Sequence, residues 1–168
     1  MYLLGGILRS HVFFGLIAIC VGPLQFVKRL RKRRKSIHQF LGYLYCSSVL
    51  ISSMAGLGIA QFAMGGWITS MGFSILAIFW FFTIIMLATA ARSGDFKKHK
   101  KWSYFSYALT FATITQRTLL LIPLLTSVPF IPIYQLSACF PWLLNLGIAA
   151  YLLSMKPEKK LDSMSQNA

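Results

Sequence analysis

Arg117 is the residue that most directly suggests binding chemistry in this sequence. It lies in a long apolar stretch, whereas the three acidic residues of the chain, Asp95, Glu158 and Asp162, lie outside such stretches. A guanidinium group surrounded by hydrocarbon is costly unless it reaches water, a backbone carbonyl or an anion. Arg117 therefore predicts a pocket for an anionic or carbonyl-bearing ligand.

Arg117 also ends a row of polar residues that share one helical face. At about 100° per residue, they fall within roughly a third of the helix circumference. The row consists of Ser103, Ser106, Tyr107, Thr110, Thr113 and Arg117. We predict that this stripe faces the interior of a helical bundle, with Tyr107 and Thr110 beside the ligand. The residues predicted to lie at a depth similar to that of Arg117 are His11, Gln61, Gln116 and Gln135.

An alternative interpretation gives Arg117 no ligand. Its long side chain then reaches outward to the polar edge of the apolar segment. In a second form of this interpretation, it binds backbone carbonyls released by Pro123 or Pro132. Both readings of Arg117 stay open on the sequence alone.

The three histidines form the second set of candidate residues. His38 and His99 each open an apolar segment beside a basic stretch, so we predict that they lie at the same edge of the membrane, where the two could meet, while His11 lies at the opposite edge. Neutral imidazole is a good ligand for haem or a metal. His38 and His99 are therefore candidate cofactor-binding residues, with haem or a quinone as the cofactor. The alternative is that each histidine contacts lipid headgroups.

Other motifs for metal or redox chemistry are lacking. Cys20, Cys46 and Cys139 are scattered through apolar runs without a CxxC pairing, which excludes a zinc-finger framework and is typical of packing residues. No HExxH, CxxCH or carboxylate cluster occurs, which argues against a hydrolytic metal centre. We predict no metal site and assign no reaction.

The composition is that of a chain dissolved in lipid. The 168 residues are 57% hydrophobic and only 12% charged, with a mean hydropathy of +0.65, whereas a soluble domain is about 25% charged. A helix needs about 20 apolar residues to cross a bilayer, and five segments meet this requirement. They are residues 10–27, 39–64, 68–91, 102–125 and 130–153. We predict an all-α transmembrane bundle as a single domain (residues 1–155), followed by a polar tail (residues 156–168).

The positive charges predict the orientation of this bundle. Of the 17 Lys and Arg residues, seven lie in residues 28–35, five in residues 92–101 and three in residues 156–160. Five spans place all three clusters on one side of the membrane, which the positive-inside rule makes cytoplasmic. We predict an outer N-terminus, a cytoplasmic C-terminus and location in a cell membrane, the bacterial inner membrane.

The same distribution argues against nucleic acid as the partner of this chain, despite its net charge of +14. Basic clusters between spans are topology signals that also contact anionic lipid headgroups. The second span carries Ser48, Ser52, Gly56 and Ala60 at four-residue spacing, a small-residue ridge that permits close helix packing. Such a ridge also suits a homo-oligomer or a membrane partner.

Several segments of the chain together resemble a known family. The run from His99 to Arg117, the run from His38 to Tyr45 and the run from His11 to Phe26, together with Trp142 and Asn145, are similar to the motifs of domain of unknown function 2306. The resemblance covers roughly residues 11–145. It implies a bacterial membrane protein and brings no particular activity. The chain departs from the family pattern at Gln39, Ser103 and Phe105.

Two classes of function follow from these observations. In the first, the protein holds a small hydrophobic or anionic ligand, or a cofactor of the haem or quinone type, between its helices. In the second, it is a non-enzymatic transporter, sensor or accessory membrane subunit without a cofactor. Arg117 and the histidines are central to the first class, and the small-residue ridge of the second span is central to an accessory role.

Overall fold

The computed structural model describes residues 2–155, and the predicted tail lies outside them. The described chain is α-helical and has no strand. Its helices are α1 (Tyr2–Val21), which continues into a 3-10 segment (Gly22–Phe26), α2 (Lys28–Arg33), α3 (Lys35–Ala60), α4 (Trp67–Arg92), α5 (Phe96–Leu119), α6 (Leu121–Leu125), α7 (Phe130–Ser137) and α8 (Phe140–Ser154). This confirms the predicted all-α class.

Five helical segments have the length and apolarity needed to cross a membrane, as predicted. They are Tyr2–Phe26, Lys35–Ala60, Trp67–Arg92, Phe96–Leu125 and Phe130–Ser154. Their ends differ from the predicted spans: the first helix begins eight residues earlier, in the apolar run 2–8, and the fourth span begins six residues earlier, in the basic run 97–101. Arg9 and the lysines of residues 97–101, for example, are helical although they lower the hydropathy of their segments.

Proline and glycine account for the interruptions. Pro23 opens the 3-10 segment at the end of the first span, and Pro141 opens α8 after the break at Ala138 and Cys139. The turn between α3 and α4 has positive φ at Gly65 (87°) and Gly66 (78°), where glycine adopts the left-handed region without steric cost. The last two spans are each built from two helices, α5 and α6 in the fourth span and α7 and α8 in the fifth.

Asp95 begins the α5 helix. Its carboxylate accepts a hydrogen bond from the Lys98 backbone N–H at 2.9 Å, which caps the first turn. The Lys98 ammonium group lies 3.2 Å from the other carboxylate oxygen. Hydrogen bonds from the Lys98 backbone and side chain lower the pKa of Asp95 below its ordinary value of 3.8. The α5 start is therefore set by a charged cap at the membrane edge.

Consecutive spans pack side by side: α1 on α3, α3 on α4, α4 on α5, and α5 on α8. The buried core includes Ala18, Val49, Ile84, Leu109 and Trp142. Consecutive membrane helices run in opposite directions, so residues 28–35 and residues 92–101 lie at the same end of the bundle. We call this end the basic end.

The small-residue ridge of α3 packs inside the molecule. Its residues Ser48, Ser52, Gly56 and Ala60 are buried. A Cβ atom on Gly56 would lie 3.1 Å from the His11 ring of α1, and a Cβ atom on Gly15 would lie 3.3 Å from the Ser52 hydroxyl. Helix α1 therefore covers the ridge, and the ridge does not present a surface for a separate protein partner.

Candidate functional site

His38 and His99 lie at the same end of the bundle, the basic end. Each lies in the first turn of its helix, His38 in α3 and His99 in α5. They are close enough to interact electrostatically, and Arg31 of α2 also acts on His38. Both rings are partly buried. The structure thus brings the predicted histidine pair to one place beside a cluster of cations.

The hydrogen bond of His99 determines which of its ring nitrogens is available. Nδ1 lies 3.3 Å from the backbone carbonyl of Leu87 in α4. A carbonyl only accepts, so Nδ1 carries the proton and donates it. In the neutral ring, Nε2 then has a free lone pair. The Ser103 hydroxyl, one turn further along, donates to the His99 carbonyl at 2.7 Å.

His38 lies near a residue that the sequence analysis did not select, Gln25. The His38 Nδ1 atom and the Gln25 Nε2 atom are both buried, and neither has a hydrogen-bond partner among residues 2–155. The Gln25 side chain lies over Gly42, with Oε1 3.6 Å from the position of a Cβ atom there. Gly42 is one helical turn from His38. Two unpartnered polar nitrogens therefore lie in the same region of the basic end.

The 3-10 segment that carries Gln25 is held against α5 by aromatic contacts. The Phe26 ring meets Tyr104 edge-on at 5.3 Å and Tyr107 at 5.7 Å. A Cβ atom on Gly22 would lie 2.4 Å from the Tyr107 ring, so only glycine permits this approach. Tyr107, a predicted ligand residue, packs against this segment. It lies on the same side of α5 as the Gln25 region.

Further along α5, the polar stripe forms a buried hydrogen-bond network. The Tyr45 hydroxyl lies 3.0 Å from Ser106 Oγ and 2.9 Å from Thr110 Oγ1. The Trp80 indole N–H donates to Thr110 Oγ1 at 3.0 Å, and the Thr110 hydroxyl donates to the Ser106 carbonyl at 2.9 Å. One proton assignment satisfies every member: Ser106 donates to Tyr45, and Tyr45 donates to Thr110. Thr110 is 1% exposed and uses its hydrogen bonds internally.

The predicted interior position of Arg117 is wrong. Its side chain is exposed, and it makes no hydrogen bond or ion pair within the described part of the chain. At this level α5 turns Ala112 and Thr115 toward the bundle, and Thr115 pairs with Asn145 of α8 at 3.3 Å. Arg117 lies seven residues beyond Thr110, only about 20° around the helix, so this sector of α5 is buried at Thr110 and exposed at Arg117.

The predicted neighbours of Arg117 do not gather around it. His11 pairs with Ser52, with Nδ1 2.9 Å from the Ser52 carbonyl, while the Ser52 hydroxyl donates to the His11 carbonyl at 2.9 Å. Gln61 donates to Ser74 at 2.9 Å. Gln135 donates to the Gly65 carbonyl at 2.8 Å. These contacts join helices and turns, and they do not line a pocket with Arg117.

Asn145 is the polar residue of α8 that ties this helix to α5. Its amide donates to the Ala108 carbonyl at 3.2 Å and to Thr115 Oγ1 at 3.1 Å. The sequence feature that points to this contact between helices is a single asparagine in an apolar span, because buried amides in membranes form hydrogen bonds with neighbouring helices. Its position also matched the last motif of the resemblance.

Metal-binding clusters are absent from residues 2–155, where no group of three or more His, Cys, Asp or Glu residues is placed to hold an ion. The cysteines in this range are free thiols. The candidate site is therefore the group of Gln25, His38 and His99 at the basic end. Its unpartnered buried polar atoms are the nitrogens Gln25 Nε2 and His38 Nδ1, and its charged neighbours include the cation Arg31.

Five membrane-length helices joined by buried polar contacts define a multi-pass α-helical membrane protein. Comparison with family models places the chain more narrowly. The model of a family described as a predicted membrane protein, DUF2306, matches residues 8–153, and the chain belongs to this family. No curated protein and no solved structure matches the chain.

Proposed function

We propose that the protein binds a small amphipathic molecule of the quinone type at the basic end, through Gln25, His38 and His99. The observation that carries this proposal is the pair of buried nitrogens, Gln25 Nε2 and His38 Nδ1, without a partner in the described chain. A buried polar group without a hydrogen bond costs about 1–3 kcal/mol. A ligand that offers an acceptor at this place recovers that cost.

The donor atoms favour a carbonyl oxygen over a metal. The Gln25 amide nitrogen has two N–H bonds and no lone pair for coordination, so it is a donor only. Haem iron would use the histidines and leave this donor unused. A quinone carbonyl accepts hydrogen bonds from Gln25 and His38. The hydroxyl group of the reduced form can donate a hydrogen bond to the free Nε2 lone pair of His99.

Replacing Gln25 with leucine tests this site. The purified protein in detergent is titrated with decylbenzoquinone, and the change in melting temperature is followed. We expect saturable stabilisation of the native chain and at least about tenfold weaker binding by Gln25→Leu, because one hydrogen bond to the ligand is lost. Gln61→Leu is the matched control, since Gln61 lies at the opposite end of the bundle and bonds Ser74.

Three results would contradict the proposal. The first is no stabilisation by the quinone, as expected if water alone satisfies the two nitrogens. The second is equal binding by the native chain and Gln25→Leu. The third is a Soret absorption band in protein made with a haem supply, lost in His38→Phe and His99→Phe, which would identify haem as the cofactor.

We further infer that the basic end faces the cytoplasm of the cell, so that the N-terminus lies outside. The support is that residues 28–35 and 92–101 lie at one end, while the connecting residues 61–66 and 126–129 carry no Lys or Arg. Single-cysteine variants in a cysteine-free background, Ser36→Cys and Ser127→Cys, test this. A membrane-impermeant maleimide should label only Ser127→Cys in intact cells, and the reverse pattern would refute the orientation.

A further inference from the structure

A groove on the membrane-facing side of the bundle is lined by none of the residues Gln25, His38 and His99. It has a volume of about 420 Å³ and lies between α4, α5 and α8. Its walls are Phe79, Phe82, Thr83, Trp102, Phe105, Leu109, Leu146, Gly147 and Ala150. The only hydroxyl among these residues, that of Thr83, donates to the Trp80 carbonyl at 2.8 Å. The groove therefore offers a hydrocarbon surface to whatever fills it.

Gly147 creates the opening of the groove. A Cβ atom at Gly147 would meet nothing within 4 Å, so the space above its backbone is empty. Phe82 and Trp102 stand edge-on to each other at 5.5 Å, and Trp102 also meets Phe105 at 5.9 Å. These rings form a firm wall along one side. The resulting channel has the apolar walls and open side that a flexible chain entering from the bilayer requires.

Cationic and hydrogen-bonding groups stand at the basic end of the groove. Lys101 precedes Phe105 by one helical turn and so lies on the same face of α5. Lys101 is exposed and makes no ion pair with residues 2–155. The Trp102 indole N–H has no hydrogen-bond acceptor within the same part of the chain. A positive charge and a free donor therefore lie at the level of the lipid headgroups.

We propose that this groove binds one anionic glycerophospholipid from the leaflet on the basic side. One acyl chain lies in the groove over Gly147, and the phosphate contacts Lys101 and the Trp102 indole N–H. The charge complementarity selects an anionic headgroup, since a lysine near the membrane surface attracts anionic lipid by about 1 kcal/mol. The apolar walls select a lipid over a free phosphate ion. This site uses none of the three residues of the proposed quinone site, and the lipid titration does not depend on quinone binding.

Native mass spectrometry of the purified protein tests this lipid site. The protein is titrated separately with phosphatidylglycerol and with phosphatidylcholine of identical acyl chains. We expect one phosphatidylglycerol molecule to bind tightly and phosphatidylcholine about fivefold more weakly, the difference expected for one lysine–anion contact. Glycerol phosphate, which has no acyl chain, should not bind.

Two variants and two matched controls separate the acyl and headgroup contacts. Gly147→Phe fills the groove without a clash at Cβ and should lose at least about tenfold in affinity for both lipids, because the acyl chain is displaced. Lys101→Gln should abolish the preference for phosphatidylglycerol. Ile148→Phe, on the exposed face of α8, and Lys32→Gln, in α2, should behave as the native chain. Equal binding of both lipids by the native chain, or unchanged binding by Gly147→Phe, would overturn the proposal.

Discussion

Thr110→Val is expected to lower the free energy of unfolding by about 2–4 kcal/mol. Valine has nearly the same shape as threonine but provides no oxygen. The Trp80 N–H loses its acceptor, and the Tyr45 hydroxyl loses one of its two partners. Both groups are buried, so water cannot replace the missing contact. The effect should be seen as a lower midpoint in thermal or SDS-induced unfolding of the protein in detergent.

Two controls separate the lost oxygen of Thr110 from altered packing. Thr110→Ser keeps the hydroxyl and removes one methyl group, and it should cost about 1 kcal/mol. Thr113→Val makes the same chemical change one turn away, at a half-buried residue without a hydrogen bond to another described side chain. It should have little effect. A Thr110→Val midpoint equal to that of Thr113→Val would show that the network contributes nothing to stability.

Gly72→Ala is expected to destabilise the bundle by about 1–3 kcal/mol through overpacking. The added Cβ atom would lie 2.9 Å from Ala138 Cβ, 2.9 Å from Cys139 Sγ and 3.0 Å from the Ala138 carbonyl oxygen. The last of these is a backbone atom at the break between α7 and α8, so the helices must separate. Thermal unfolding in detergent measures the loss.

Gly147→Ala is the matched control for Gly72→Ala. It gains the same helix propensity, about 1 kcal/mol in favour of alanine, at a position where the new atom meets nothing within 4 Å. The double variant Gly72→Ala with Ala138→Gly removes one of the clashing atoms and should recover part of the stability. Equal melting temperatures for Gly72→Ala and Gly147→Ala would show that α4 and the break do not pack as closely as described.

The span count and the placement of His38 and His99 at one end of the bundle were predictable from the sequence. Hydropathy determines which segments cross the bilayer, and alternation then places the starts of the second and fourth spans at one end. The orientation of Arg117 was not predictable in this way. A helical wheel places Arg117 in the same sector as Thr110, but it does not say how far along α5 the neighbouring helices cover that sector. In the structure the sector is buried at Thr110 and exposed at Arg117.

Gln25 was missed for a different reason. It lies in a short 3-10 segment, where neither helical periodicity nor hydropathy assigns a direction to a side chain. Its importance follows only from the close approach of Gly22 to Tyr107, which holds the segment against α5. The Gly22-Pro23 pair ends the regular helix and opens the 3-10 segment. The sequence could not show that this segment carries a buried amide toward His38.

The hydrogen bond from Gln135 to Gly65 has a consequence for biosynthesis. It joins residues 70 positions apart, one in the turn between α3 and α4 and the other in α7. A chain made from its N-terminus inserts the α3–α4 hairpin before α7 leaves the ribosome. We therefore expect the last span to dock onto a preformed surface that consists of the Gly65 carbonyl and the part of α4 around Gly72. Chains released before α7 would leave the Gly65 carbonyl without its Gln135 partner.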